Sequence, residues 1–317
     1  MTTETDTAIL FPGQGAQHVG MGQALAQECP EAEDIFFRAN AALGFDVAAL
    51  CFHGPAEELN RTSLCQPAIL TASVAALEAW KARTGEQPHG PCAGLSLGEY
   101  TALVHAGAMT FEDAVRVVSK RGQYMEQAGK ENPGGMLTLL GLERERVNDA
   151  VDAANEHGMA EVANYNCPGQ IVISGTAPAL DWVEAHATDY GARKAVRLNV
   201  SAAFHSRLMA PASKKLGRAL HEVAISQPKR PVISNVTGKF IHTASEIRDL
   251  LVRQLTQSVL WEDSMRFLLA QGVRRFVEIG PGKVLRGLLR RIEPTAQCAN
   301  ISEPAHIEQY QQAAEAR

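Results

Sequence analysis

Short apolar runs and longer amphipathic stretches alternate along the first part of the chain. The apolar run 8–11 ends at Pro12-Gly13, which predicts a buried strand that opens into a glycine-rich loop. Helical periodicity covers about 31–43 and 66–83, and the small residues of 90–93 predict the next short strand. This part of the chain therefore indicates alternating strands and helices.

From Met136 onward the pattern changes to closely spaced strands, in the order βαββαβ of a ferredoxin-like unit. The predicted elements are a strand over 136–140, a helix over 143–156, strands over 161–165 and 170–174, a helix over 177–189 and a strand over 193–198. Beyond them, alternation resumes with helices near 207–221, 245–254, 262–271 and 283–292 and strands over 231–235 and 274–279. The tail after about 303 is polar and predicts a helix or a frayed end.

The sequence Gly94-Leu95-Ser96-Leu97-Gly98 lies between a predicted strand and a predicted helix. The helix follows over 99–107, with apolar residues at helical spacing. A serine between two glycines in this context is typical of a nucleophile elbow, a sharp turn that exposes the serine hydroxyl. Ser96 is therefore the candidate nucleophile.

These elements predict an α/β fold. We expect a large parallel-sheet core of α/β-hydrolase type with an inserted small ferredoxin-like subdomain. The turn-rich break at 131–135 (ENPGG) marks the first boundary. We place the large catalytic subdomain at 1–130 and 199–317, discontinuous in sequence, and the small subdomain at 131–198.

Composition narrows the classes of function. The 317 residues are 45% hydrophobic and 21% charged, and the net charge of −5 disfavours nucleic-acid and anionic-membrane partners. No apolar run is long enough to span a bilayer, and residues 1–6 lack the basic and apolar regions of a signal peptide. Six cysteines without a C-x-x-C pair indicate reduced thiols. We expect a cytoplasmic protein with no metal site.

A serine hydroxyl needs a base within hydrogen-bond reach to act as a nucleophile near neutral pH. Of the ten histidines, His205 has the most suitable setting, because it follows the strand that closes the insert and precedes a helix. A structural role for His205 is equally supported at this point. The acidic residues between Ser96 and His205 fall on patterned helices or their ends, and none stands out as a third triad member. A Ser–His pair oriented by a neutral acceptor is the resulting hypothesis.

Arg121 lies on the helix predicted near 111–129. Its guanidinium group carries a planar fork of donors that suits bidentate binding of a carboxylate. From spacing alone, a surface arginine is the favoured interpretation, so the binding role stays open.

The loop that follows the first strand has two glycines within three residues, Gly13 and Gly15, which permits a close backbone approach. A dinucleotide-binding loop would need a third glycine where the chain has His18. The other use is a backbone N–H that joins the N–H after the nucleophile in an oxyanion hole.

Together these motifs resemble the malonyl-CoA:acyl-carrier-protein transacylase family, which includes the acyltransferase domains of fatty-acid and polyketide synthases. The resemblance covers nearly the whole chain and depends on six ordered segments. They are residues 11–15, 94–100, 121–125, 164–175, 204–206 and 278–285.

The resemblance implies roles for the matching positions. Ser96 would carry the malonyl group as an ester, and His205 would act as general base and then as general acid. Gln254 matches the residue whose backbone carbonyl orients the histidine in this family. That match would account for the missing acid.

The same resemblance places the backbone N–H groups of Gln14 and Leu97 in the oxyanion hole and Arg121 on the malonyl carboxylate. Phe204 resembles the malonyl-type pattern of the synthase domains and would crowd an α-methyl branch in the acyl pocket. One methylene group discriminates by only roughly 1–3 kcal/mol, so methylmalonyl is disfavoured and not excluded. Leu95 departs from the family, which usually has histidine directly before the nucleophile.

The activity that the resemblance implies is a ping-pong transfer in fatty-acid or polyketide synthesis. Malonyl-CoA would be the donor and the phosphopantetheine thiol of an acyl carrier protein the acceptor, with no further cofactor. We expect a monomer. Two alternatives are a serine hydrolase, such as a thioesterase of α/β-hydrolase type, and a non-catalytic module that docks carrier protein. The intact Ser96, His205 and Arg121 argue against the second alternative.

Acyl carrier proteins are acidic, so a docking surface would present basic side chains. The candidates are Lys214, Lys215 and Arg218 on one predicted helix and Lys283, Arg286, Arg290 and Arg291 on another. Ordinary solvated helix faces explain these residues equally well.

Overall fold

A computed structural model describes residues 7–200 and 202–315. Residues 1–6, on which the signal-peptide argument depends, lie outside the described residues. The strands are β1 (Thr7–Phe11), β2 (Cys92–Gly94), β3 (Gly135–Leu140), β4 (Ala160–Cys167), β5 (Gln170–Gly175), β6 (Lys194–Arg197), β7 (Val232–Ile233), β8 (Phe240–Ile241), β9 (Val259–Leu260), β10 (Arg275–Ile279) and β11 (Gln297–Ile301). The helices are α1 (Gln23–Glu28), α2 (Pro30–Leu43), α3 (Val47–His53), α4 (Ala56–Leu59), α5 (Thr62–Thr84), α6 (Gly98–His105), α7 (Phe111–Glu131), α8 (Arg144–Ala154), α9 (Ala177–His186), α10 (Ala210–His221), α11 (Ala244–Gln254), α12 (Trp261–Ala270), α13 (Val284–Ile292) and α14 (Pro304–Glu315).

The larger sheet has the strand order β11-β10-β1-β2-β7-β8. Its strands pair in parallel except for β8, which pairs antiparallel with β7. Ile9 and Phe11 of β1 belong to one buried cluster, and Ala8 and Leu10 belong to another. The continuous apolar run of β1 therefore reflects a parallel strand buried on both faces.

The smaller sheet has the strand order β6-β3-β5-β4-β9. Its first four strands pair antiparallel, and β9 pairs in parallel with β4 through Asn164 and Val259. A separate buried cluster, with Leu137, Ile173 and Leu180 among its members, packs this sheet against α8 and α9. In the chain, β9 follows β7 and β8 of the larger sheet, so the smaller sheet also includes a strand from this later part of the sequence.

The elbow forms where β2 gives way to α6, beside the end of β1. A Cβ atom on Gly98 would lie 2.2 Å from the carbonyl oxygen of Phe11, and one on Gly13 would lie 2.3 Å from that of Leu95. Neither position has room for a side chain. The glycine-rich loop after β1 therefore packs directly against the elbow backbone.

Several elements were not predicted from the sequence. Helices α1, α3 and α4 are four to seven residues long and offer too few turns for a periodic signal. Strand β11 is only partly buried and carries mixed polar residues, so its pattern is weak. Helix α5 begins at Thr62, earlier than expected, and contains Pro67. The strand expected over 231–235 is confined to Val232–Ile233.

Within residues 7–200 and 202–315, no helix combines the length and apolar character needed to cross a membrane. The same residues contain no group of three or more His, Cys, Asp or Glu side chains arranged to hold a metal ion. All six cysteines are free thiols, and five of them are buried.

Candidate active site

Ser96 occupies the tip of the elbow in a strained backbone conformation. Its φ angle is +51°, in the left-handed region that non-glycine residues rarely adopt. Asn235 holds the turn from the side: its Oδ1 accepts from the Ser96 N–H at 2.6 Å, and its Nδ2 donates to the Gly94 carbonyl at 2.7 Å. Asn235 follows the short strand β7, next to β2 in the sheet. The side-chain amide of Asn235 thus provides hydrogen bonds to the backbone beyond β2, where strand pairing has ended.

His205 and Gln254 complete the nucleophilic centre. The Ser96 Oγ lies 2.9 Å from His205 Nε2, and His205 Nδ1 lies 2.7 Å from the backbone carbonyl oxygen of Gln254. A carbonyl oxygen only accepts, so Nδ1 carries the proton and Nε2 is free to accept from the serine hydroxyl. Burial lowers the pKa of His205 to about 4, and the charge of Arg121 adds to this effect. The imidazole is therefore a neutral base at neutral pH.

Arg121 points into the same site and is only 1% exposed, so the surface interpretation of this residue is wrong. Its Nη1 donates to Gln66 Oε1 at 2.7 Å, and its Nη2 donates to both Ser96 Oγ and Gln254 Oε1 at 3.0 Å. Its guanidinium carbon lies 5.7 Å from the ring centre of Tyr100. These neighbours are neutral, and none of the ion pairs within the described ranges includes Arg121.

The position of Arg121 depends on the close packing of α7 against α5. A Cβ atom on Gly122 would lie 2.6 Å from the carbonyl oxygen of Thr62 and 2.7 Å from the Cα of Ser63. Only glycine allows this approach of the two helices. It brings Arg121 beside Gln66, which lies one turn beyond Thr62 on α5.

The two predicted oxyanion donors lie on the segments that meet at the elbow. Leu97 directly follows the nucleophile, and Gln14 lies in the loop whose Gly13 contacts the backbone of Leu95. Across residues 7–200 and 202–315, neither the Gln14 nor the Leu97 backbone N–H donates to a protein acceptor. Both groups are free to receive a ligand oxygen, and their role in an oxyanion hole stays a prediction.

Phe204 and Leu95 are both packed into hydrophobic clusters. Phe204 is buried in the main core, and its carbonyl accepts a hydrogen bond from the Ser174 hydroxyl. Phe204 does not line the cavity beside His205. Its place in an acyl pocket stays a prediction. Leu95 packs against the second cluster, which includes Ala93 and Ile233. An apolar side chain before the nucleophile therefore fits its surroundings.

Three polar residues of the site were missed by the sequence analysis. Gln66, Glu99 and Asn235 are each at most 1% exposed, and each hydrogen-bonds to a residue of the site. The available signal was weak: Gln66 and Glu99 lie in helical patterns, and Asn235 lies in a turn. A polar residue within an otherwise apolar helix face is the one hint that a sequence offers, because such a residue is usually buried with a partner.

A cavity of about 520 Å³ opens beside His205, lined by residues of α8, of β4 and of the segment that leads into β9. Its lining residues include Asn148, Tyr165, His205, Arg207, Val236 and Ser258. His205 is therefore the one residue of the Ser96–His205–Arg121 group that lines this cavity.

The fold and the site define an acyltransferase. The family model described as the acyl transferase domain matches residues 9–315. The chain therefore belongs to the acyltransferase family, and the resemblance drawn from the sequence motifs is confirmed.

Individual relatives are similar over nearly their full length. The malonyl CoA-acyl carrier protein transacylase of Salmonella typhimurium is 45% identical over 303 residues, which cover 96% of this chain and 98% of the relative. The crystal structure of the protein of that name from Clostridium perfringens matches with a TM-score of 0.94 at 38% identity, over 98% of each chain. A malonyl-transacylase in complex with a type II polyketide acyl-carrier protein matches with a TM-score of 0.93 at 39% identity, over 98% of this chain and 100% of that one.

Proposed function

We propose that the chain is a malonyl-CoA:acyl-carrier-protein transacylase. It transfers malonyl from CoA to Ser96 and then to the phosphopantetheine thiol of a carrier protein. The proposal is supported by relatives that carry this name at 45% and 44% identity. It is also supported by the similar transacylase in complex with a carrier protein. The pathway is fatty-acid or polyketide synthesis.

One observation carries the proposal: the Ser96 hydroxyl contacts a neutral base and a buried guanidinium at the same time. His205 Nε2 is 2.9 Å and Arg121 Nη2 is 3.0 Å from Ser96 Oγ. A buried positive charge that has no carboxylate partner is costly, and an anionic ligand would compensate it. An acyl group that is esterified to Ser96 and ends in a carboxylate meets this requirement, as malonyl does.

In the first half-reaction, His205 Nε2 takes the proton of the Ser96 hydroxyl while Oγ attacks the thioester carbonyl carbon. The negative charge that develops on the carbonyl oxygen would be bound by the N–H groups of Gln14 and Leu97. The C–S bond then breaks, and the proton on His205 passes to the leaving CoA sulfur. The product is malonyl-Ser96, with its carboxylate on Arg121.

In the second half-reaction, the carrier's phosphopantetheine thiol gives its proton to His205 and its sulfur attacks the ester carbonyl. The C–O bond to Ser96 breaks and His205 returns the proton to Oγ, which regenerates the enzyme. Arg121 acts in both halves, because it holds the carboxylate and so fixes the carbonyl that reacts. A substrate without a carboxylate should therefore lose rate as well as affinity.

Water competes with the carrier thiol for the ester. A hydrolase of elbow type uses a carboxylate to orient its histidine, whereas Nδ1 of His205 faces the carbonyl of Gln254. This difference favours a transferase over a serine hydrolase. We further propose that a carboxylate held by Arg121 close to the ester disfavours productive attack by water.

The finer architecture is part of the same proposal. We infer a core of α/β-hydrolase type over 1–130 and 199–317 and a ferredoxin-like subdomain over 131–198. The antiparallel order β6-β3-β5-β4 supports the second assignment. A monomer without a cofactor and a cytoplasmic location complete the proposal, and the six free cysteines support the location.

The carrier would dock on basic side chains at the rim of the large subdomain. On α10, Lys214 and Arg218 are exposed and Lys215 is half-buried; on α13 and just before it, the four candidates are all exposed. They are Lys283, Arg286, Arg290 and Arg291. Such surfaces suit an acidic partner, because complementary charge raises the association rate.

The test is the intact mass of the protein after separate mixing with malonyl-, methylmalonyl- and acetyl-CoA. We expect one malonyl group on Ser96, located by peptide mapping, and its transfer to a holo acyl carrier protein. Ser96→Ala should remain unmodified. Ser264→Ala is the control, because the Ser264 hydroxyl donates to the backbone carbonyl of Leu260, just before α12, and to none of the site residues. Rapid CoA release without an adduct would favour a hydrolase, and neither release nor adduct would favour a docking module.

A further inference from the structure

Glu99 is a fully buried carboxylate directly behind the elbow, in the first turn of α6. Its Oε2 accepts two hydrogen bonds, from the Asn235 backbone N–H at 2.9 Å and from Gln254 Nε2 at 2.8 Å. Its Oε1 is buried, and no hydrogen-bond partner for it lies among the residues that the structure describes. None of the steps described above uses this group.

Both partners of Glu99 contact the reacting residues. The backbone carbonyl of Gln254 holds His205, its Oε1 accepts from Arg121, and its Nε2 donates to the carbonyl of Ser96 at 3.0 Å. A single glutamine thus touches the nucleophile, the base and the guanidinium group. The side-chain amide of Gln254 keeps Oε1 toward Arg121 only while Nε2 has hydrogen-bond acceptors on its other side. Glu99 Oε2 is one of these acceptors, and the Ser96 carbonyl is the other.

Asn235 is the second partner. Its side chain bridges the Ser96 N–H and the Gly94 carbonyl, and its backbone N–H is held by Glu99. Asn235 lies in the turn between β7 and β8, where the sheet offers no further pairing. Glu99 therefore ties this turn to the helix that begins at the elbow.

A buried carboxylate is costly, because burial removes the water that would solvate its charge. An apolar side chain at this place would avoid that cost, and the hydrogen bonds would then be lost. We propose that Glu99 is a positioning residue: it holds Gln254 and the Asn235 backbone together and so fixes the nucleophile, its base and the guanidinium in one geometry. The inference rests on the proposed function, since it assigns a role within that same reaction.

The hydrogen bonds do not require that Glu99 be ionised. Burial raises the pKa of its carboxyl to about 7, and the two hydrogen bonds and the charge of Arg121 oppose that rise. The charged and titratable groups around it are Arg121 from α7, Tyr100 beside it on α6 and His205 beyond Gln254. A proton on Oε1 leaves Oε2 able to accept both bonds. Glutamine, with its oxygen at the place of Oε2, is therefore a close mimic of the protonated form.

This equivalence gives a graded series of variants. Glu99→Gln retains the acceptor, Glu99→Asp shortens the side chain so that it no longer reaches both donors, and Glu99→Ala removes it. Glu278 supplies the matched control, because it is also fully buried and accepts from two backbone N–H groups, those of Leu285 and Arg286. It caps α13 and bonds to none of the site residues.

Two rates are measured for each variant: acylation by malonyl-CoA, and labelling of Ser96 by a fluorophosphonate, which carries no carboxylate. We expect Glu99→Asp and Glu99→Ala to slow both rates by about 10- to 100-fold, through kcat rather than KM. Glu99→Gln should stay within about threefold of the unchanged protein in both, since it keeps the acceptor. Glu278→Gln and Glu278→Ala should lower Tm without slowing either rate.

The series separates the possible failures. Unchanged rates in Glu99→Asp or Glu99→Ala, or equal losses in Glu99→Gln and Glu99→Asp, would overturn the positioning role. If Glu99→Ala does not fold, the comparison of Glu99→Gln with Glu99→Asp decides alone. If malonyl-CoA does not acylate the unchanged protein, the proposed function fails, and the fluorophosphonate rates still test Glu99.

Discussion

The Nδ1 atom of His205 lies 2.7 Å from the backbone carbonyl oxygen of Gln254. The carbonyl takes the place that a carboxylate occupies in a Ser-His-Asp triad. It fixes the tautomer of the ring without adding a negative charge. The base is therefore oriented by the end of α11, and the nearby positive charge of Arg121 stays available for an anionic ligand.

The lowered pKa of His205 predicts how the rate of acylation changes at acidic pH. Because its pKa is lowered to about 4, the imidazole stays neutral well below its ordinary range. We expect kcat/KM for acylation by malonyl-CoA to show no histidine inflection near the ordinary value of 6.5. The profile is best measured in Glu99→Gln, which removes the second titrating group of the site. An inflection near 6.5 in that variant would contradict this assignment.

Arg121 should determine the preference for carboxylated acyl groups. In the proposed acyl-enzyme, Arg121→Ala would remove the charge-assisted hydrogen bonds to the malonyl carboxylate, so the malonyl-to-acetyl ratio of acylation rates should fall by about 100-fold or more. Both rates will also decline, since Arg121 supports Ser96 and Gln254. The control is Arg248→Ala, because the Arg248 guanidinium donates to the backbone carbonyls of Leu220 and Val223, away from the site. An unchanged ratio in Arg121→Ala would refute the carboxylate role.

The buried carboxyl of Glu99 should leave a signature in stability. Its pKa is about 7 in the folded protein against an ordinary 4.5, so the folded state binds more protons between these two values. The free energy of unfolding therefore falls as pH rises through this window and stays lower above it. The Glu99→Gln variant carries no carboxyl at this position and avoids this loss. Its free energy of unfolding, compared with that of the unchanged protein, should therefore be higher at about pH 8 than at about pH 5. Urea unfolding at both pH values measures this, and a constant difference would argue against the shift.

The space around the Cβ position predicts opposite effects for two glycine-to-alanine substitutions, one at the elbow and one on α13. Gly98→Ala would place a Cβ 2.2 Å from the Phe11 carbonyl, so the backbone must move and acylation should be lost. Gly287 lies inside α13, and within the described part of the chain no atom comes within 4 Å of the position that its Cβ would take. Gly287→Ala should therefore stabilise the protein by about 0.5–1 kcal/mol and leave acylation unchanged. Thermal unfolding and intact mass measure both effects; a fully active Gly98→Ala would contradict the packing.

Charge reversal tests the two proposed docking faces. Arg286→Glu with Arg290→Glu addresses α13, and Lys214→Glu with Arg218→Glu addresses α10. The face that docks the carrier should show a raised KM for holo carrier protein and a weaker salt dependence, because steering by charge is lost. Acylation by malonyl-CoA should not change. If neither pair alters the KM for the carrier, docking lies elsewhere.

Local sequence was sufficient for the parts of the site that depend on backbone geometry. Gly94, Ser96 and Gly98 are close in sequence, and the turn they form follows from their own steric properties. The α/β class and most strands of both sheets also follow from apolar runs of the right length. The break at 131–135 likewise coincides with the end of α7 at Glu131 and the start of β3 at Gly135.

Contacts between distant segments could not be predicted in the same way. Gln66 meets Arg121 across 55 positions and Asn235 meets Ser96 across 139, so no periodic pattern connects them. The burial of Arg121 depends on Gly122 packing against Thr62, which is a tertiary contact. The carboxylate-binding role proposed for Arg121 depends on the family resemblance, whereas its buried position and its hydrogen-bond partners are visible only in the structure.

The most direct test of the central claim is the crystal structure of the malonyl-loaded protein, prepared without carrier. The account predicts an ester on Ser96 whose free carboxylate accepts hydrogen bonds from the Arg121 guanidinium at about 2.7–2.9 Å. The ester carbonyl oxygen should face the N–H groups of Gln14 and Leu97. An ester whose carboxylate points away from Arg121, or a malonyl group on any other residue, would contradict the account.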